Sequence, residues 1–512
     1  MISESIPGTH AVLRMKKITL PVAIALSACA GLPAGTQGAS DIRGVQSPSS
    51  LQTPYVTPTA PDWHVTSIIS AGDAADNGYK MVGIPDGLGA YDNGNGTFTV
   101  LINHELGASD GIERAHGATG AFVSEWVINK ADFKVISGAD LATTHLVWNS
   151  SANRYETATG VVNRFNRLCS ADLPADSAFY NRASGKGTMV RLFMTGEEAG
   201  TEGRAYALIA TGTNKGTAYE LPKLGKFSWE NSLANPYSGD RTIVIGTDDS
   251  TPGQVYIYRG AKTDSGLQID KAGLTNGTLA GIKLASNPGM TGNLESGQIN
   301  GTFSTVAVDT SVDGATQQAN SRSAGITEFA RPEDGHWANA KTFYFVTTGA
   351  DPDGPGAVGT QPARLYKLVF DEAGGEVDYS SGSIAMVKDS STLMGTDGQI
   401  ARKFDNITVG EDGKVYIQED GGDSAYISKT WMFDPVANSW AQILESDRAR
   451  FLAPAAPFNH DEESSGIIEI TSILRRNDGR RYFLSTMQAH YVIPGELVQG
   501  GQLYLISAST EP

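Results

Sequence analysis

The feature that most restricts the fold of this 512-residue chain is an absence: almost nowhere do apolar residues recur at the helical interval. Short β-branched and aromatic runs alternate instead with turns of Gly, Asn and Asp. Strands are predicted at 96–103, 189–195, 205–211, 241–246, 255–258, 342–347, 414–418, 482–487 and 502–507. Asp92-Asn93-Gly94-Asn95-Gly96 and Glu411-Asp412-Gly413 read as hairpin turns, because Gly and Asn accept positive φ. The expected fold is all-β. At this length a single large closed architecture can bury enough apolar surface to need no cross-links.

Several of these apolar runs lead into a polar cluster. Residues 99–102 lead to Asn103-His104-Glu105, and 190–194 to Gly196-Glu197-Glu198. Residues 242–245 lead to Asp248-Asp249, 415–417 to Glu419-Asp420, and 483–487 to Gln488 and His490. Any one of them also reads as a solvated turn. Together they suggest a β-propeller, in which each blade sends its innermost strand along a central channel in the same direction. The strand ends would then meet at one mouth. Carboxylates gathered so closely repel unless cations stand between them.

Composition narrows the partners. The formal charge of −17 disfavours nucleic acid and anionic lipid and favours divalent cations, although acidity also serves solubility alone. Residues 1–39 read as an export signal, with Lys16-Lys17 before the apolar run 18–26. That signal ends either in a lipoprotein box, Leu26-Ser27-Ala28-Cys29, with Cys29 as a lipid anchor, or near Gly38-Ala39-Ser40. Residues 40–61, rich in Ser, Thr, Pro and Gln, suit a flexible tether, and 62–512 form the β domain. Periplasm, outer membrane or secretion is the expected location. With Cys29 in the signal or lipidated, Cys169 has no disulfide partner, so it is either buried or a ligand.

The polar motifs also fall in an order that resembles the PhoX-type alkaline phosphatases. These residues are Gly83-Ile84-Pro85-Asp86-Gly87, Asn103-His104-Glu105, Asn166-Arg167-Leu168-Cys169-Ser170 and Thr195-Gly196-Glu197-Glu198. They continue with Asp248-Asp249 before Val255-Tyr256-Ile257-Tyr258, Arg331-Pro332-Glu333 and Phe404-Asp405-Asn406. Ile417-Gln418-Glu419-Asp420-Gly421, Glu463-Ser464-Ser465-Gly466 and Gln488-Ala489-His490 close the series. The resemblance implies a propeller of about six blades, with irregular insertions, built around iron and calcium and acting on phosphate esters; the chain is expected to be a monomer. It implies that Cys169 ligates iron and that Glu105, Glu198, Asp248, Glu333, Asp405, Asp420 and Glu463 hold metal. Arg331 would clamp phosphate, and His490 would protonate a leaving group or hydrogen-bond a ligand. The chain departs from the family in carrying Lys16-Lys17 where a twin arginine is usual, and in a segment 171–194 without tryptophan.

Two other classes fit the same pattern: a propeller hydrolase of another kind (phosphodiesterase, phytase or lactonase) and a calcium-stabilised binding propeller without catalysis. There is no Walker-type phosphate loop.

Overall fold

Alternating Val, Ile, Leu and aromatic residues build antiparallel sheets around six short, polar strands in the computed structural model. The polar strands are β1 (Pro85–Asp92), β2 (Leu168–Asp172), β3 (Trp229–Ala234), β4 (Pro332–Asn339), β5 (Phe404–Val409) and β6 (Asp461–Glu469). The structure describes residues 46–285, 300–350, 362–423, 426–452 and 458–510.

Each polar strand opens a four-stranded antiparallel run. Strand β1 is followed by Thr97–His104, Phe122–Asn129 and Val135–Asp140. Strand β2 pairs with Leu192–Glu197, then come Ala205–Ile209 and Thr217–Glu220. Arg241–Asp248, Gly253–Ala261 and Thr278–Leu284 extend β3. Thr342–Thr347, Arg364–Ala373 and Glu376–Asp389 extend β4. Val415–Asp423, Lys429–Asp434 and Ser439–Ser446 extend β5. The run from β6 continues through Arg480–Ile493 and Val498–Ser509 and is completed by His64–Ser70, from the far end of the sequence. Strand Asn300–Val308 joins the third run to the fourth. The six polar strands touch in chain order, and β6 returns to β1, so they form a closed ring.

Apolar side chains fill the spaces between runs. Ile243, Ile257, Phe345, Tyr366 and Leu368 pack between the third and fourth runs, each worth roughly 1.5–3 kcal/mol of burial. Trp229 is fully buried and stacks on Phe227 at 3.9 Å. Where β1 meets β2 there is room for no side chain: a Cβ on Gly87 would stand 2.1 Å from the Ala171 nitrogen.

All nine predicted strands are present, and both hairpin turns lie between paired strands. Their position in the sheets differs from expectation. The apolar strands that lead into polar clusters are the second of each run, not the innermost. The channel is lined by strands such as LCSAD and PEDGHWAN, whose Gly, Asp and Asn hide them from a search for alternating apolar residues.

Part of the expected tether is built into the fold. Val56–Pro58 pairs with Ser439–Ser446, and Tyr55 is buried against Phe451 and Phe458. Two apolar residues suffice to dock a segment whose average composition is polar. The expected export signal, with Cys29, lies outside the described residues.

Candidate metal centre

Antiparallel pairing brings the end of each second strand beside the start of its inner strand. Opposite pairs are Pro85 with His104, Leu168 with Glu197, Trp229 with Asp248, Pro332 with Thr347, Phe404 with Glu419, and Glu463 with Gln488. Just beyond each pair the register slips, so that two inner-strand residues oppose one. Such bulges re-aim side chains. They hold Asp86-Gly87, Cys169-Ser170, Glu230-Asn231, Glu333-Asp334, Asp405-Asn406 and Ser464-Ser465. In the first five runs the residue after the paired second-strand position is Glu105, Glu198, Asp249, Thr348 and Asp420.

The first member of each acidic or polar doublet therefore faces elsewhere and has partners of its own. His104 meets the Ser124 hydroxyl at 2.8 Å, Glu197 is bonded by Arg204 at 2.8 Å, and Glu419 accepts from Trp431 Nε1 at 2.7 Å. The second member joins the site.

These side chains form a closed circuit of contacts. Glu105, Asp86 and Cys169 place ligand atoms within 4.8 Å of one another. Arg167 Nη2 lies 2.7 Å from Glu105 and also bonds Glu198. The Glu198 and Asp249 carboxyls act on each other electrostatically, and Arg331 holds Asp249 through two hydrogen bonds of 2.7 and 2.8 Å. Arg331 is 3.2 Å from Glu333. Glu333, Glu230 and Asp405 form a second group within 4.8 Å, and Asp405, Asp420 and Glu463 a third. Gln488 Nε2 closes the circuit, donating to Asp86 and Glu105 at 2.9 Å and to Glu463 at 3.4 Å.

Nine carboxylates (Asp86, Glu105, Glu198, Glu230, Asp249, Glu333, Asp405, Asp420, Glu463) and one thiol thus share two guanidiniums in this circuit. The consequence is electrostatic. Burial first, then the Glu105 and Glu463 charges, pushes Asp86 well above the usual carboxylate range. Burial raises Glu198, Glu230, Glu333, Asp405 and Glu463 in the same direction, with neighbouring carboxylates adding to it. Burial first, then the Asp86 charge, pushes the Cys169 thiol up. Asp249 is the exception: burial pushes it up, but Arg331 more than offsets this and holds it low.

The donor set suits cations. One carboxylate oxygen each of Asp86 and Glu230 is buried without a hydrogen-bond partner among the described residues. An unpaired buried oxygen is costly and is what a metal ion would satisfy.

The backbone invests in this mouth. Ile84, Arg167, Arg331 and Lys403 all have positive φ, at 50°, 48°, 55° and 40°. Each immediately precedes an inner strand. Each offers its carbonyl to the N–H of a site residue or its equivalent: Glu105 at 3.0 Å, Glu198 at 2.8 Å, Thr348 at 3.1 Å and Asp420 at 2.9 Å. Left-handed geometry costs a non-glycine residue on the order of 1 kcal/mol or more, and such strain gathers at functional sites.

Of the residues named from sequence, Cys169, Glu105, Glu198, Glu333, Asp405, Asp420 and Glu463 fall in the circuit. Arg331 is there too, with its fork on Asp249. His490 lies at the edge, its Nδ1 2.7 Å from Gln499 and its Nε2 4.0 Å from Glu463. The structure places Asp248 outside: it pairs with Trp229 across the strands, accepts from Ser250 at 2.8 Å, and burial pushes it up to about 7. Asp249 takes the position expected for it. Asp86, Glu230, Asp249, Arg167 and Gln488 were not chosen from sequence. The offset seen at Glu105, one residue past the last paired position, would have selected Asp249 over Asp248.

The two aspartates are expected to separate experimentally. Asp249→Asn removes half of a mostly buried ion pair and should lower unfolding stability by about 2 kcal/mol. Asp248→Asn disturbs one hydroxyl contact and should cost less than about 1 kcal/mol. Urea denaturation of the two variants checks this.

A cavity of about 750 Å³ occupies the same channel beyond the bulges, lined by Asp172, Asn231, Asp334, His336 and Asn406 among others, and by none of the nine carboxylates. The acidic mouth and this cavity are different stretches of one channel.

The fold and site together define a ring of antiparallel sheets closed around an acid- and thiol-lined mouth with the donors of a metal centre. Comparison with known proteins gives a narrower answer. A family model described as alkaline phosphatase PhoX matches residues 209–448, the same family that the ordered motifs resemble. The matched span includes Glu230, Asp249, Arg331, Glu333, Asp405 and Asp420. Cys169 lies outside it. Among solved structures, Pseudomonas fluorescens PhoX in complex with vanadate, a transition state analogue, is similar at a TM-score of 0.63 and 13% identity, covering 92% of this chain and 99% of that one. That likeness concerns the fold. The GH93 α-L-arabinofuranosidase of Fusarium graminearum aligns at a TM-score of 0.39 and 8% identity, over 82% of this chain and 92% of that one. No curated protein matches.

Proposed function

We propose that this protein hydrolyses phosphate monoesters with metal ions held in the acidic mouth. The observation that carries this reading is the closed circuit of carboxylates and one thiol around two guanidiniums, in a chain that the PhoX family model matches over residues 209–448. On this reading each four-stranded run is a blade and the molecule a six-bladed propeller.

Asp86, Glu105 and Cys169 would hold the softer ion, for which a thiolate suits iron. The all-oxygen groups Glu230, Glu333, Asp405 and Asp405, Asp420, Glu463 suit calcium. Bound metal would supply Lewis-acid charge at the ester oxygens and lower the pKa of an attacking water. The chain's own groups do the rest. Arg331 offers its remaining N–H groups to a phosphoryl oxygen. Gln488 fixes the orientation of three carboxylates at once. His490 is held by Gln499 and hydrogen-bonds a ligand near Glu463.

The N-terminal sequence favours action outside the cytoplasm, with Cys29 either lipidated or removed. Purified protein is expected to hydrolyse p-nitrophenyl phosphate and to contain both iron and calcium by elemental analysis. Arg331→Ala should lower kcat/KM at least about a hundredfold, the loss of one charged clamp in a desolvated site. Metal-replete protein without turnover would overturn the reading.

A further inference from the structure

We propose, building on the phosphatase reading, that Arg167 is a second phosphate-positioning residue acting with Arg331. The two arginines occupy the same station in different runs. Each has positive φ just before an inner strand, at 48° and 55°. Each donates its N–H to a loop carbonyl, Leu106 at 2.9 Å and Ser250 at 3.1 Å. Each gives its carbonyl to the residue that ends the adjoining strand's approach to the mouth, Glu198 and Thr348. Their guanidiniums border one acid pair, since Arg167 bonds Glu198, Arg331 bonds Asp249, and those two carboxylates interact.

They differ in what remains free. Arg331 commits Nε and Nη2 to Asp249. Arg167 makes both its carboxylate contacts through Nη2 alone. Among the described residues its Nε and Nη1 meet no acceptor, and its side chain is 49% exposed while Glu105 beneath is 6% exposed. A guanidinium with two unused donors stands between solvent and a bed of buried carboxylates. A phosphate entering a mouth of nine carboxylates needs positive donors facing outward, or repulsion keeps it out. Arg167 meets that need with the geometry guanidinium offers phosphate. The competing role is structural, neutralising Glu105 and Glu198.

Metal-loaded Arg167→Met and Arg167→Lys separate the roles. Calorimetry with inorganic phosphate, elemental analysis and kcat with KM for p-nitrophenyl phosphate are measured on each. Expected for Arg167→Met are unchanged metal content and a phosphate Kd weakened about ten- to a hundredfold, with KM raised in step. Arg167→Lys, which keeps the charge but not the fork, should recover part of the loss. An unchanged phosphate Kd, or a loss that tracks missing metal, overturns the proposal. So does a wild-type protein that binds no phosphate. Wild-type protein that binds phosphate without hydrolysing its ester refutes the phosphatase reading alone, and Arg167 is then judged on Kd.

Discussion

Protein stripped with a chelator is expected to lose melting temperature steadily as pH rises from about 5 to about 8, and bound cations should flatten that slope. The sign follows from the direction of the shifts. A carboxyl whose folded pKa is raised holds its proton more tightly when folded than when unfolded. Its contribution is fully present below the unfolded value and is lost as pH climbs through the folded one. Burial pushes Asp172, Asp334 and Glu419 up to about 7 and Glu462 to about 8. Asp86, Glu230, Glu333, Asp405 and Glu463 move further the same way. Each such group costs on the order of a few kcal/mol once ionised without a partner. With cations restored to the mouth, Asp86, Glu230, Glu333, Asp405 and Glu463 gain countercharge and ionise at less cost, while Asp172, Asp334, Glu419 and Glu462, outside the circuit, keep their part of the slope. Differential scanning calorimetry across the range, with and without metal, measures both curves. Coincident curves would mean that cations are not what the mouth is built to hold.

Gly87→Val should be among the most damaging single changes in the protein. Its Cβ would meet the Ala171 nitrogen at 2.1 Å and the Ser170 carbonyl carbon at 2.4 Å, both backbone atoms. No rotamer relieves such a clash, so β1 and β2 must part. Asp86 and Cys169 sit in the two bulges at this contact, with Cys169 Sγ 3.5 Å from Asp86 Oδ2. Overpacking of this kind costs roughly 1–3 kcal/mol where side chains can adjust, and more against backbone. The expected result is a loss of at least about 3 kcal/mol in urea unfolding together with loss of iron. Gly94→Ala serves as the comparison, since nothing lies within 4 Å of a Cβ there, though its φ of 75° adds local strain. Gly94→Ala should keep its metal. Full iron content in Gly87→Val would show that the approach of β1 to β2 does not build the site.

The apolar strands were legible because they obey a simple period. Thr97–His104 and Thr342–Thr347 carry buried Val, Leu, Ile and Phe and announce themselves. The inner strands were not legible as strands, because a channel wall made of bulges breaks the two-residue period and substitutes Asp, Asn and Gly for apolar side chains. The polar residues at the site were nonetheless visible as motifs, which is why Cys169, Glu333 and Asp405 could be named before their strands could. Glu230 was missed because WENSLA has neither alternating pattern nor acidic doublet. Asp248 was chosen over Asp249 because a sequence does not say which of two adjacent carboxylates faces inward. Only the register with Trp229 decides it.

His64–Ser70 lies against Val498–Ser509, so the sixth run is fastened by two segments far apart in the sequence. The earlier of the two must wait, its hydrogen-bonding edge bare, until Val498–Ser509 has been made. Until that clasp shuts, the sixth run lacks its outer strand, and only the direct meeting of β6 and its neighbour with β1 holds Gln488 against Asp86 and Glu105. The metal mouth is therefore a property of the finished ring: a nascent chain can own every ligand and still have no site.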